Sequence, residues 1–570
     1  MAWPRYSVGI DLGTTNSAMA EIDLAIEPAG PGEPLPGPVP VPIPQLVAPA
    51  ETQERELLPS FVYLPHEAEG LGPWIAGVYA RERGAQVPAR LVSSSKSWLS
   101  VRGNQLLPPG AEPGVERISP VEAAARLLGH LRAAWDEAHA WEQETLATQA
   151  VTLTVPASFD AVARELTVQA AAQAGLSQLT LLEEPQAALY SWVEATGEAW
   201  RKHVRPGDVI LIVDVGGGTS DFSLIEVGEE EGRLLLTRLA VGDHILLGGD
   251  NVDLALAHVV NERLKEEGTK LDPWQFAALT HACRKAKEEG STALAIPGRG
   301  TGLVGGTLRA ELRPDELRRT VDAFFPEVPR EATPQRSVRA GLTTIGLPYA
   351  QDPAVTRHLA AFLRRAGQKR PTAILFNGGV FKDEGLQERV ARVVEGWLGA
   401  PLKRLQAGSL DLAVASGAAY SGLARRGRGI RIRGGTARAW YVGVEAAVPA
   451  VPGFSPPLRA ICVAPFGMEE GTAIELPGLE VGAVVGEETS FRFFSSSARR
   501  EDTAGAVLED AGELEELPPI VTTLPAEEGR AGDVIPVGLR SQVTEVGTLA
   551  LHLVAPDARA WKLEFSVRDE

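Results

Sequence analysis

Apolar and polar positions along this chain follow three distinct rhythms. Residues 8–20 read V-G-I-D-L-G-T-T-N-S-A-M-A and residues 211–224 read L-I-V-D-V-G-G-G-T-S-D-F-S-L. Each is an apolar run ending in Asp, a turn of Gly and Thr, and a stretch alternating with period two, which predicts a β-hairpin rather than a strand entering a helix. The two aspartates, Asp11 and Asp214, are 203 residues apart, a spacing that predicts two related lobes rather than a solenoid. Helical periodicity covers 119–142, 158–174 (with Ser158 as expected N-cap), 250–268, 272–290, 314–325, 352–366, 383–398 and 409–426. Short apolar runs at 151–155, 209–213 and 372–376 separate these helices, and such alternation predicts an α/β architecture.

The rhythm changes after about residue 427. Trp561, Leu563, Phe565 and Val567 alternate with Lys562, Glu564, Ser566 and Arg568, and Leu549, Leu551 and Leu553 repeat the pattern. The expected organisation is an α/β domain over 1–425, a linker over 426–436 and a smaller all-β domain over 437–570. The arginine-rich junction at 425–435 has no interleaved aromatic residues and reads as a solvated hinge. The proline-rich stretch 28–49 reads as a stiff extended loop, since proline supplies no amide donor to a helix or central strand.

Length agrees with this division, because 570 residues exceed the ~250–300 at which a single core stops growing. The formal charge of −19, from 74 acidic against 55 basic residues, argues against a nucleic-acid lattice or an anionic membrane. It leaves room for a local phosphate site built from backbone amides. Two distant cysteines, Cys283 and Cys462, give neither a disulfide framework nor a zinc cluster. With no signal-like start and no long apolar run, the expected location is cytoplasmic.

The paired turns carry the chemistry. Glycine lets a backbone approach phosphate oxygens, amides and hydroxyls donate to them, and an aspartate at the strand end is placed to hold Mg²⁺. The chain contains no G-x-x-x-x-G-K-[ST] loop, and its G-T-G-L-V-G at 300–305 is a chance match to the dinucleotide pattern.

The two hairpins resemble the phosphate loops of the actin, sugar-kinase and heat-shock ATPase superfamily, and the chain resembles the 70-kDa heat-shock (DnaK-type) chaperones within it. Further segments support that resemblance: L-P-S-F-V-Y-L (58–64), S-S-S-K-S-W-L (93–99), A-V-T-L-T-V-P-A-S-F-D (150–160) and L-L-E-E-P-Q-A-A-L (181–189). V-G-D-H-I-L-L-G-G-D (241–250), F-N-G-G-V-F-K (376–382) and L-D-L-A-V-A-S-G-A-A (410–419) continue it in the family's order. The resemblance implies an actin-like, two-lobed ATPase with duplicated ribonuclease-H-like lobes, followed by a β-rich domain whose strand A-W-Y-V-G-V-E (439–445) is similar to the opening of a peptide-binding sandwich.

It also implies roles for residues. Asp11 and Asp214 hold hydrated Mg²⁺; Gly13, Thr14, Thr15 and Asn16 wrap the phosphates from one lobe, and Gly216, Gly217, Gly218 and Thr219 from the other. Lys96 is the catalytic lysine, Glu184 bonds the metal's water shell, and Asp221 orients water or an ion, K⁺ included. Gly248, Gly249, Lys287, Ser291, Gly378, Gly379, Lys382 and Asp411 face the nucleoside, and Pro156 with Glu184 lies on the route between nucleotide and peptide sites. Two departures stand out. Arg284 and Glu288 exchange the charges of the family's adenine clamp, and no helical lid is expected after the β domain. The implied function is an ATP-hydrolysing chaperone, with ATP or ADP as ligand, client polypeptides, a J-domain co-chaperone and a nucleotide exchange factor as partners. A nucleotide-dependent scaffold for one dedicated partner, with little turnover, is the alternative, and a small-molecule kinase ranks third.

Overall fold

The computed structural model describes residues 4–27, 35–101, 103, 105–109, 111, 114–230, 233–298, 307–335, 347–367, 369–406, 408–430, 432–433, 436, 438–445, 458–468, 472–496, 499, 501–517, 519–526, 530–544, 548–557 and 559–566. The 300–305 glycine segment and Val567 lie outside these. Two compact units divide the chain, with the boundary in the main sequence between Ile432 and Arg433.

The first unit contains the predicted duplication. In lobe I, strand Tyr6–Asp11 pairs antiparallel with Asn16–Asp23 on one side and parallel with Ala150–Val155 on the other, and Leu179–Glu183 extends the parallel side. In lobe II, Val209–Val215 pairs antiparallel with Ser220–Glu230 and parallel with Ala373–Asn377, which Lys403–Leu405 extends. Both aspartates therefore stand at corresponding strand ends: Asp11 opposite Ala18, Asp214 opposite Asp221.

One core joins the two sheets. It includes Ala18 and Ile22 from lobe I, Ile210, Ile212 and Leu375 from lobe II, and residues of helices Glu184–Thr196 and Ala413–Arg425. The second helix is buried nearly all round because its sequence is small. A Cβ at Gly417 would lie 1.7 Å from the Ala187 carbonyl oxygen, and one at Gly9 would lie 2.1 Å from that of Ala415. Ser7 Oγ donates to the Ala419 carbonyl at 2.7 Å, fixing the helix on the first strand.

Helices observed at Pro120–Ala138, Gly249–Glu266, Pro273–Glu289, Pro314–Phe324, Val355–Arg365 and Glu384–Leu398 lie close to their expected spans. Three expectations are corrected. The helix expected from residue 158 starts at Ala161, capped by Asp160, whose Oδ1 accepts from Ala163 N–H at 2.8 Å. Within the described part of the proline-rich stretch, Val39–Pro40 adds an edge strand to lobe I and Ile43–Ala48 pairs with Glu51–Arg55. Val41, Ile43 and Gln45 are buried while Pro40, Pro42 and Pro44 alternate with them, so the prolines occupy positions where an edge strand can spare its donors. The junction is solvated at 425–427 but held beyond them: Arg428 donates to the Leu24 and Ile26 carbonyls, Ile430 N–H to Tyr420 Oη, and Ile432 N–H to Tyr190 Oη.

In the second unit, a five-stranded sheet built around Leu458–Ala464 and Ala439–Glu445 and a four-stranded sheet of Ala473–Val484, Val534–Val543, Thr548–Val554 and Ala560–Ser566 share a core. The alternating leucines are in register as the sequence implies, Leu551 opposite Leu563 and Leu553 opposite Trp561. Leu551 is fully buried between the sheets. We expect Leu551→Ala to lower the stability of this unit by about 2–5 kcal/mol, read as an earlier urea midpoint.

Candidate active site

The two hairpin turns face each other across the first unit. A Cβ on Gly217 would lie 1.8 Å from Thr15 Oγ1, and one on Gly218 would lie 2.6 Å from Thr14 Cγ2 and 2.8 Å from Ser97 Oγ. Gly249 N–H and Asp250 N–H donate to the carbonyls of Gly216 and Gly217 at 3.0 and 2.7 Å, so the start of helix Gly249–Glu266 supports the second turn. Gly378 has φ +88°, and a Cβ there would meet the Val215 carbonyl oxygen at 2.3 Å. Glycine is thus required by close approach at 217 and by both approach and backbone conformation at 378. Gly217→Val should push the turns apart and lower the stability of the first unit by about 1–3 kcal/mol, read as an earlier urea midpoint.

Between the turns lies a cluster of buried charge. Lys96, on the short helix Ser95–Leu99, is buried and forms an ion pair and hydrogen bond with Glu184, the first residue of the helix behind the cleft. Burial alone would lower the Lys96 pKa, but Glu184, Asp11 and Asp214 together raise it, so it stays an ammonium. The carboxylates respond in the opposite sense. Burial pushes Asp11 up to about 6, with Lys96 opposing, Glu184 adding to the rise and Thr154 Oγ1 donating to it at 3.2 Å. Burial, followed by Glu184, raises Asp214 well above the usual range, against a 2.8 Å hydrogen bond from Asn377 Nδ2. Glu184 and Asp221 are also raised, chiefly by burial.

The cleft holds about 720 Å³. Its lining brings together Asp11, Gly13, Thr14, Thr15, Asn16, Lys96, Glu184, Asp214, Gly216, Gly217, Thr219, Gly249, Lys287, Gly378, Gly379, Lys382 and Asp411. Asp221, Gly218 and Gly248 stand behind that lining rather than in it. Ser291 is not brought to the cleft: it is exposed, and its hydroxyl accepts from Ala293 N–H at 3.2 Å.

At the far end, Arg284 donates to Asp250 at 2.6 Å and to Asp253 at 2.8 Å, and Lys287 pairs with Asp253 at 2.6 Å. Glu288 also lines the cleft, its pKa raised by burial against the pull of Arg284. Lys382 pairs with Asp411 at 2.7 Å, and Leu317, Val321, Phe325 and Val380 supply apolar wall.

Asn377, Thr154 and Asp253 were missed from the sequence. Asn377 immediately precedes the Gly378-Gly379 pair, which is the available signal; Thr154 has only its place in the quoted 150–160 segment, and Asp253 only its place in the expected 250–268 helix.

The donor set fits a polyphosphate with a hydrated divalent cation. Thr15 Oγ1 and Ser97 Oγ are buried hydroxyls without a hydrogen-bond partner where the turns meet, and carboxylates stand at both strand ends. Among the described residues no group of three or more His, Cys, Asp or Glu is arranged to hold a metal directly, and no helix is long and apolar enough to cross a membrane.

Residues 95–299 match the family model described as Hsp70 protein. Among curated proteins, the chain is 32% identical over 270 residues to "Chaperone protein HscA" of Salmonella newport (strain SL254) and, at the same level, to that of Salmonella heidelberg (strain SL476). Each alignment covers 45% of this chain and 38% of the relative, so the chain spans well under half the length of the curated relatives it matches.

Proposed function

We propose, from the match of residues 95–299 to the Hsp70 protein model, that the chain binds ATP in the cleft, hydrolyses it to ADP and phosphate, and couples nucleotide state to binding of exposed apolar polypeptide by the β unit. The observation that carries this reading is the buried Lys96–Glu184 pair, set with Asp11 and Asp214 where the two glycine turns meet.

In this reading the amides and hydroxyls of residues 13–16 and 216–219 hold the phosphates. Asp11 and Asp214 would hold Mg²⁺, mainly through its waters. The bound Mg²⁺ supplies charge that offsets the phosphate oxygens. Glu184 fixes the Lys96 ammonium, so its donors are already oriented where charge develops on the transferred phosphoryl group, and little reorganisation is needed during the reaction. Asp221 orients the attacking water. Helix Glu184–Thr196 offers a route for coupling: Glu184 faces the cleft at its start, and Tyr190 Oη accepts from Ile432 N–H at 2.9 Å, at the last residue of the first unit.

The test is steady-state phosphate release with and without an unfolded polypeptide. Turnover stimulated by the polypeptide supports the proposal. ATP binding without turnover or stimulation would sink it in favour of a dedicated-partner scaffold, and phosphate transfer to a sugar or polyol would sink it in favour of a kinase. Stimulation by a J-domain protein or an exchange factor is a separate measurement on the same assay.

A further inference from the structure

Behind the cleft lining, a chain of hydrogen bonds crosses between the lobes. Asp221 Oδ1, on the lobe II hairpin, accepts from Ser158 Oγ at 2.6 Å. Ser158 belongs to lobe I, in the turn after strand Ala150–Val155, and its oxygen lies 2.7 Å from His244 Nδ1. His244 returns the chain to lobe II, and its Nε2 lies 3.1 Å from Ser100 Oγ. Ser100 ends the short helix that carries Lys96, and its hydroxyl is also 2.8 Å from the Ser97 carbonyl oxygen. The Phe159 ring packs edge-on against the imidazole, with centroids 5.6 Å apart.

Counting protons fixes the direction of the chain. A serine hydroxyl has one proton and a carboxylate only accepts. If Ser158 gives its proton to Asp221, its oxygen must accept from His244 Nδ1–H, which leaves Nε2 bare to accept from Ser100. With a neutral imidazole the single Ser100 proton serves either Nε2 or the Ser97 carbonyl, not both, and burial favours the neutral form by pulling the His244 pKa down to about 4. Neither Ser158 nor His244 lines the cleft, so neither reaches a ligand there. Their contacts end instead on the groups flanking Lys96 and on Asp221.

We propose that Ser158 and His244 are positioning residues for nucleotide hydrolysis: the Asp221–Ser158–His244–Ser100 chain ties the lobes together and holds the Asp221 carboxylate and the Lys96 helix in register. This rests on the reading of the cleft as a site of ATP hydrolysis. It predicts that the two side chains matter for the chemical step and little for holding the ligand, because the phosphates and nucleoside contact other residues.

The experiment compares the full chain with Ser158→Ala, His244→Phe and His244→Gln, measuring single-turnover ATP hydrolysis and ATP affinity separately. Ser158→Ala and His244→Phe should each slow hydrolysis about tenfold while ATP affinity changes by less than about twofold. His244→Gln, whose amide keeps one donor and one acceptor, should recover much of the rate despite its different shape. Unchanged hydrolysis in Ser158→Ala and His244→Phe overturns the proposal, as does a parallel loss of rate and affinity that His244→Gln fails to relieve, which is the mark of packing alone. A wild-type chain that hydrolyses no ATP overturns the underlying reading and this inference with it; normal wild-type turnover beside unaffected variants overturns only the inference.

Discussion

Replacing Lys96 by alanine should lower single-turnover ATP hydrolysis by about 10²–10³-fold, the usual consequence of removing an oriented donor from a water-poor reaction site. The expectation follows from the placement of the ammonium. It is buried, held by Glu184, and surrounded by the carboxylates that raise its pKa. On the proposed reading nucleotide binding should survive far better than turnover, since the glycine turns and hydroxyls would contribute most of the phosphate contacts. Lys96→Arg should not restore the rate, because a planar guanidinium does not fit the space of a point-like ammonium. The same substitution has a second readout. Without Lys96, Glu184, Asp11 and Asp221 lose the cation that opposes their upward shifts. Carboxylates raised above their unfolded values favour the folded state when protonated, so the alanine variant should lose more stability than wild type as pH rises from about 4 through the raised carboxylate values. Turnover by Lys96→Ala within a few-fold of wild type would falsify the catalytic role.

Asp11→Asn should separate stability from function. Burial raises Asp11 from an ordinary 3.8 to about 6, so the folded chain is penalised for ionising it. The sign is that of a raised carboxylate: its contribution is fully favourable below about 3.8 and is lost as pH climbs through about 6. At ~1.36 kcal/mol per pH unit the penalty at pH 8 is at most about 3 kcal/mol, a ceiling because the side chain keeps partial access to the cleft. In EDTA, the asparagine variant should therefore unfold at higher urea than wild type at pH 8, with the gap closing towards pH 4. On the proposed reading, addition of Mg²⁺ and ATP should reverse the order, because stabilisation by a ligand follows its affinity and wild type keeps the carboxylate that would hold Mg²⁺. Equal stabilisation of both proteins by Mg²⁺-ATP would remove Asp11 from the metal site.

Much of this molecule was legible in its sequence wherever a local pattern carried the information. Period-two alternation placed both hairpins and put Asp11 and Asp214 at matching strand ends, since the side-chain period of a strand leaves little choice of face. The leucines at 549, 551 and 553 were assignable to one buried face for the same reason. Other features depended on partners far away along the chain. Ser158 was expected to cap a helix, yet Asp160, two residues later, does so, which frees the Ser158 hydroxyl for Asp221, 63 residues on. Both residue types are good caps, so propensity could not separate them. In the proline-rich stretch the alternating burial of Val41, Ile43 and Gln45 carries the strand pattern, and the intervening prolines mask it.

By itself, then, the sequence determined the α/β and β textures, the duplicated aspartate turns, and the residue types suited to phosphate and Mg²⁺, because strand period, turn chemistry and glycine's conformational range are all local properties. Tertiary structure alone decided which groups share a site. It put Lys96 on Glu184, Asn377 on Asp214 and His244 on Ser158, and it left Ser291 outside the cleft. Those pairings, and the shifted pKa values that accompany them, arise from desolvation and from charges brought within a few ångströms of each other by two lobes folding around one core.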